Sequence, residues 1–158
     1  MEEIHLFNSD EKLELYGYGE WVEEPDEVYF MYEGFNCKIK RNPYMGNLCG
    51  YVEIPKDILY VDEDMLDVYC GITYSQMEDD NKHWIGFDCA HGFDVIPGLE
   101  KRIKNYDEIQ KIQEYVENFK KTLDIFLPEK TYKNINFVME ECKNLINQLI
   151  TNTLDKGE

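Results

Sequence analysis

Several stretches of the chain carry the two-residue period of half-buried strands. Phe35-Asn36-Cys37-Lys38-Ile39-Lys40 alternates apolar with polar, and Val28-Tyr29-Phe30-Met31-Tyr32 ahead of it is rich in β-branched and aromatic residues. The turn Glu33-Gly34 joins them into a hairpin with Phe35, Cys37 and Ile39 on the core face. The turn formers Asn42, Pro43, Gly46 and Asn47 make Arg41–Asn47 a loop, and Leu48–Ile54 then reads as a strand that Pro55 stops. Lys56–Asp64 reads as an irregular or helical connection, Leu66–Tyr74 as a further strand, and Glu78–Asn81 as a solvated loop. Trp84-Ile85-Gly86-Phe87 is a short buried strand that leaves through a turn over Asp88–Asp94. In the acidic segment 1–27, Leu13, Leu15 and Tyr16 suggest a first edge strand, with a bend or bulge at Tyr16-Gly17-Tyr18-Gly19.

Beyond Gly98 the period changes. Ile109, Ile112, Val116, Phe119 and Leu123 recur at helical spacing over Tyr106–Leu123, with Asp107 as a candidate N-cap, and Pro128 closes the region. Ile135, Val138, Cys142, Leu145 and Leu149 repeat the pattern over Tyr132–Leu149, with Thr131 as a candidate cap. No crossover helix separates the strands, so the sheet is expected to be antiparallel with about five to six strands. Strands first and helices second predict an α+β fold with two C-terminal helices packed on one face. Residues 1–158 are read as a single domain: an acidic segment to 27, mainly β over 28–98, and helical over 106–150.

Composition narrows the picture. An apolar fraction of 43% with twelve tyrosines places the chain among folded proteins despite a net charge of -17. That charge opposes direct nucleic-acid binding, which draws its affinity from Lys and Arg on phosphates. No run reaches the length of a membrane span, and Met1-Glu2-Glu3-Ile4-His5 lacks the basic and apolar regions of a signal peptide, so a cytoplasmic location is expected. Five cysteines are an odd number without C-x-x-C spacing, which argues against a disulfide framework or a zinc ribbon.

Candidate chemistry is densest in Trp84–Asp94. Asp88, His91 and Asp94 are of a kind that suits zinc, manganese or iron, although a further ligand has to come from another acid. Cys89 with His91 is a candidate nucleophile and base, without the signature of a known cysteine hydrolase around it. The structural alternative makes Trp84 and Phe87 core, has Asp88 cap the turn and has His91 donate to a carbonyl. A third reading is ligand capture. Arg41 is one of only two arginines, and Tyr44, Tyr51, Tyr74 and Trp84 offer rings for stacking, with Asp88 and His91 completing a pocket.

Four segments together resemble one family: Arg41-Asn42-Pro43 with Leu48-Cys49-Gly50-Tyr51-Val52; Gly71-Ile72-Thr73-Tyr74-Ser75; Trp84–Asp94; and Val138-Met139-Glu140-Glu141-Cys142 with Gln148-Leu149. They are similar to a widespread group of small phage- and prophage-encoded proteins, over roughly residues 35–150. The resemblance implies expression inside an infected bacterium and supplies no mechanism. Members of the group often carry His-Gly where this chain has Tyr69-Cys70, and His-Pro after the proline matching Pro55, where this chain has Lys56-Asp57-Ile58. A centre built from several histidines is therefore incomplete here. The expected function is an anti-defence protein that sequesters a nucleotide-like immune signal without cofactor, as a homo-oligomer, through Arg41, Tyr44, Tyr74, Trp84, Asp88 and His91. The alternatives are a metal- or cysteine-dependent hydrolase of such a molecule using Asp88, Cys89, His91 and Asp94, and an acidic DNA mimic that occupies a host defence protein.

Overall fold

The computed structural model describes residues 1–109 and 129–156. Six strands form one antiparallel sheet: β1 (Glu2–Ile4), β2 (Glu27–Tyr32), β3 (Phe35–Arg41), β4 (Leu48–Ile54), β5 (Tyr74–Glu78) and β6 (Lys82–Asp88). Their spatial order is β1-β2-β3-β4-β6-β5, so β1 and β5 are the edges. Among the described residues three α-helices accompany them: α1 (Ser9–Tyr16), α2 (Pro97–Ile109) and α3 (Ile135–Lys156). The fold is α+β, with two of the helices following the sheet in the chain.

The alternation read from the sequence is what gives the sheet two unlike faces. Val28, Phe35, Cys37, Ile39, Leu48, Val52, Ile85 and Phe87 are buried on one face, where α3 lies across β3 and β4. From α3 the residues at helical spacing, Val138, Cys142, Leu145 and Leu149, complete that core together with Ile146. Asn134 caps α3 by accepting from the Phe137 amide at 2.9 Å, so the cap is Asn134 rather than Thr131. Thr131 instead belongs to a short parallel bridge with Asp94, and its carbonyl accepts from the Val95 amide at 2.8 Å.

Three expectations are corrected. Leu13, Leu15 and Tyr16 belong to α1, not to an edge strand, because Asn8 and Glu11 form a capping box that starts a helix. Gly17 ends that helix at φ 76, so the bend foreseen there is a helix C-cap. Leu66–Thr73 is not a strand. Cys70 and Gly71 stand in left-handed conformations at φ 57 and 85, and the preceding backbone bonds to α3 side chains: Asp67 N–H donates to Gln148 Oε1 at 2.7 Å, and Gln148 and Asn144 donate to the Asp67 carbonyl. The chain extends again only at Tyr74, in β5. The third correction concerns the first C-terminal helix, which starts at Pro97 and encloses Asp107. Most of the predicted span Tyr106–Leu123 lies outside the described residues.

The contact between α3 and the sheet depends on a missing side chain. A Cβ at Gly50 would lie 2.6 Å from Phe87 Cζ and 2.9 Å from Val138 Cγ1. Gly50→Ala should therefore cost about 1–3 kcal/mol in urea unfolding, the usual penalty of overpacking. The double variant with Val138→Ala should lose less than the sum of the two singles, and strict additivity would count against this contact as the cause.

Candidate functional site

The dense stretch Trp84–Asp94 folds as β6 and the turn behind it. Asp88 ends the strand and caps the turn by accepting from the Ala90 amide at 3.2 Å. Asp94 is the centre of the cluster, with its side chain fully buried. Its Oδ1 accepts from the Tyr69 hydroxyl at 2.5 Å and pairs with Lys133 Nζ at 3.2 Å. Its Oδ2 accepts from the His91 amide at 3.0 Å and lies 3.3 Å from His91 Nδ1. Burial pushes the Asp94 carboxyl up, but the Tyr69 hydroxyl, the His91 amide and Lys133 outweigh it and hold it below the ordinary carboxylate range. Asp88 Oδ1 stands 3.5 Å from the other His91 nitrogen. Tyr69 packs edge-on against His91 and Phe137 at 5.7 and 5.2 Å, and Lys133 lies over the Tyr69 ring at 5.4 Å.

The structure brings Asp88, His91 and Asp94 together as a carboxylate–imidazole–carboxylate array, with the Asp94 side chain buried. Tyr69 and Lys133 were not foreseen from the sequence. Tyr69 was assigned to a strand, and the pair Cys70-Gly71 was the available sign of a turn there. Lys133 comes from the lead into α3, far away in the chain. Cys89 is buried, and its thiol is pushed well up by burial and by Asp94, away from the thiolate that a nucleophile needs. Among the described residues no three His, Cys, Asp or Glu side chains converge as metal ligands.

Tyr74 and Trp84 lie elsewhere, on the sheet face opposite α3. Tyr29, Lys38, Tyr51, Gly86 and Tyr74 form one cross-strand row there. Lys38 Nζ sits 4.2 Å from the Trp84 ring centroid and 5.4 Å from that of Tyr51, and pairs with Glu78 at 2.7 Å. Tyr74 donates to the same carboxylate at 2.8 Å and meets Tyr51 edge-on at 5.2 Å. These rings are engaged with one another and with Lys38 across the face.

Arg41 takes a third position and cannot meet a ligand. It ends β3 on the core side, 5% exposed, and all five of its N–H donors are used within the chain. Nε donates to Asp26 Oδ1 at 2.9 Å; Nη1 to the Gly46 carbonyl at 2.9 Å and Tyr132 at 2.8 Å; Nη2 to the Pro25 carbonyl at 3.0 Å and Glu24 at 3.5 Å. The ligand-capture role expected of it is corrected to a structural one. Lys12 joins from α1, fully buried and 3.0 Å from Asp26 Oδ1.

Tyr44 is 77% exposed and lines a cavity of about 740 Å³ between α1, the loop after β3, and α2. Phe7 and Leu15 give it apolar walls, Glu11 and Glu14 stand on the α1 side, and Lys101 and Arg102 on the α2 side. Lys101 donates to the Leu13 carbonyl at 3.3 Å. Arg102 lines the groove and makes a weak contact to the Met45 thioether at 3.9 Å. The arginine beside Tyr44 is therefore the second one in the chain, brought there by α2.

The geometry defines a class: an α+β protein with a helix across one face of a six-stranded antiparallel sheet, a Tyr–His–Lys cluster around a buried Asp, and a mixed aromatic and charged groove. Compared with protein-family models, curated proteins and solved structures, the chain finds no match.

Two consequences follow for these clusters. Arg41→Ala removes one of the two cations on the buried Asp26 and should cost about 3–5 kcal/mol in urea unfolding, with Arg41→Lys recovering little because lysine cannot serve the same acceptors. The Asp94 carboxyl is depressed in the folded state, so its contribution is fully present above the unfolded value of about 3.9 and disappears as pH falls through the lower folded value. Asp94→Asn should lose about 1–3 kcal/mol at neutral pH, a deficit that shrinks below about pH 4. A deficit constant down to pH 3 would show that the charge of Asp94 is irrelevant.

Proposed function

We propose that this protein binds and sequesters a nucleotide-like small molecule in the groove between α1 and α2, and that it acts inside an infected bacterium as a sponge for an immune signal. The observation that carries the reading is the pairing, in one groove of about 740 Å³, of the exposed Tyr44 ring with the Arg102 guanidinium. That volume lies within the range of small-molecule sites. A base stacks on Tyr44 and Phe7, the phosphate meets Arg102 and Lys101, and sugar hydroxyls or an exocyclic amine donate to Glu11 and Glu14. The phage-protein resemblance supports the biological setting. Binding is favoured over turnover because the Asp88–His91–Asp94 array holds its imidazole between two carboxylates, and Cys89 is a buried, protonated thiol.

The test is incubation of the pure protein with a panel of cyclic nucleotides and ADP-ribose derivatives, then filtration, heating and chromatography of both fractions. One compound should be depleted and recovered intact after heating. Arg102→Ala and Tyr44→Ala should each weaken its binding roughly 10- to 100-fold at unchanged stability, the cost of one charged or stacking contact. A chemically altered product makes the protein an enzyme. Unchanged depletion by the double variant removes the groove as the site.

A further inference from the structure

We propose that the free edge of β5 is a docking site for a basic, extended segment of a partner protein, which adds to the sheet as a further strand. Because β5 is last in the strand order, its outer backbone edge has no strand partner among the described residues. Edge strands are normally blunted by lysine, proline or a bulge, since their open amides and carbonyls recruit other chains. Tyr74-Ser75-Gln76-Met77-Glu78 has neither lysine nor proline, and its register with β6 runs without a bulge from Tyr74↔Gly86 to Glu78↔Lys82. Ser75, Gln76 and Met77 are exposed.

The surroundings select the occupant. Residues 57–81 contain eight carboxylates and no Lys, Arg or His. Glu63 and Glu78 face His83 and Lys38, whereas Asp57, Asp62, Asp64, Asp67 and Asp79 have no cationic partner among the described residues. Set among these acids are large apolar side chains left in water: Leu59 is 95% exposed, Met65 73% and Met77 62%. The segment is held in place rather than loose. Glu63 accepts a short hydrogen bond from Ser75 of β5, and Asp67 is clamped by Asn144 and Gln148 of α3. An open edge beside a fixed acidic and apolar border fits an extended peptide whose cations face the acids and whose apolar residues meet Met65 and Met77. A second copy of this chain would bring like charge against like, so the occupant is a different protein.

The probe is an alternating Lys-Val peptide, with an alternating Glu-Val peptide as control, added to the full chain and followed by amide hydrogen exchange. The Lys-Val peptide should slow exchange across residues 74–78 and the control should not. Asp62→Lys with Asp64→Lys, both at exposed positions, should weaken the peptide roughly tenfold without changing the thermal midpoint. Added salt should weaken it as well. Absence of binding, protection confined to another segment, or equal protection by the Glu-Val peptide would each overturn the proposal.

Discussion

The carboxylate of Asp26 holds together parts of the chain that have no other reason to meet. Its Oδ1 takes Lys12 from α1 and Arg41 from β3, and its Oδ2 accepts the Leu6 and Phe7 amides that lead into α1. Burial alone would push this carboxyl up. Hydrogen bonds from Lys12, Phe7 and Arg41 outweigh it and keep Asp26 ionised. Arg41 then carries the link to Tyr132 ahead of α3 and to the Gly46 carbonyl in the loop after β3. A buried charge with every hydrogen-bonding group satisfied is worth little as net energy but costs heavily to break, so it acts mainly as a specification of which segments must be adjacent.

The groove inherits its shape from that node. Its walls are α1, placed by Lys12, and the loop after β3, placed by Arg41 and by the Tyr16 hydroxyl on the Pro43 carbonyl at 2.5 Å. The α2 wall is joined to the same loop through the Gly98 amide on the Met45 carbonyl at 2.7 Å. The one strongly bound arginine thus positions the loop that sets the weakly bound one, Arg102, beside Tyr44. In the turn after β6, Asp94 plays a similar part on a smaller scale, drawing Tyr69, His91 and Lys133 onto one buried carboxylate. In both clusters the buried acid is the organiser, and the side chains around it are the ones whose roles differ from what their residue types suggest.

Much of the sheet was legible beforehand. β2, β4 and β6 follow from their apolar, β-branched and aromatic content, while β3 follows from local alternation because it has one face in the core and the period of two survives in the sequence. The buried positions of α3 were visible for the same reason at a period of 3.6. What misled was local composition without regard to backbone partners. Leu66–Thr73 is rich in β-branched and aromatic residues, yet its polar groups are met by Gln148, Asn144 and Glu141 of α3. The α1 segment has acidic and apolar residues in nearly equal mixture, so its capping box was the better guide. The turn Asp88–Asp94 was legible as a cluster because its members are near neighbours in the chain.

By itself the sequence determined the class of fold, the two-faced strands, the face of α3 and the dense turn after β6, since each depends on residues a few positions apart. The tertiary structure alone decided which arginine is buried and which lines the groove, where Lys12 points, and that Tyr69 and Lys133 share the Asp94 carboxylate. It also decided which strand was left as an open edge beside the acids. Those outcomes depend on long-range pairing that dehydrates some charges and leaves others in water. Residue type records only that a group can carry a charge, whereas its surroundings determine whether that charge holds the fold together or remains free for a partner.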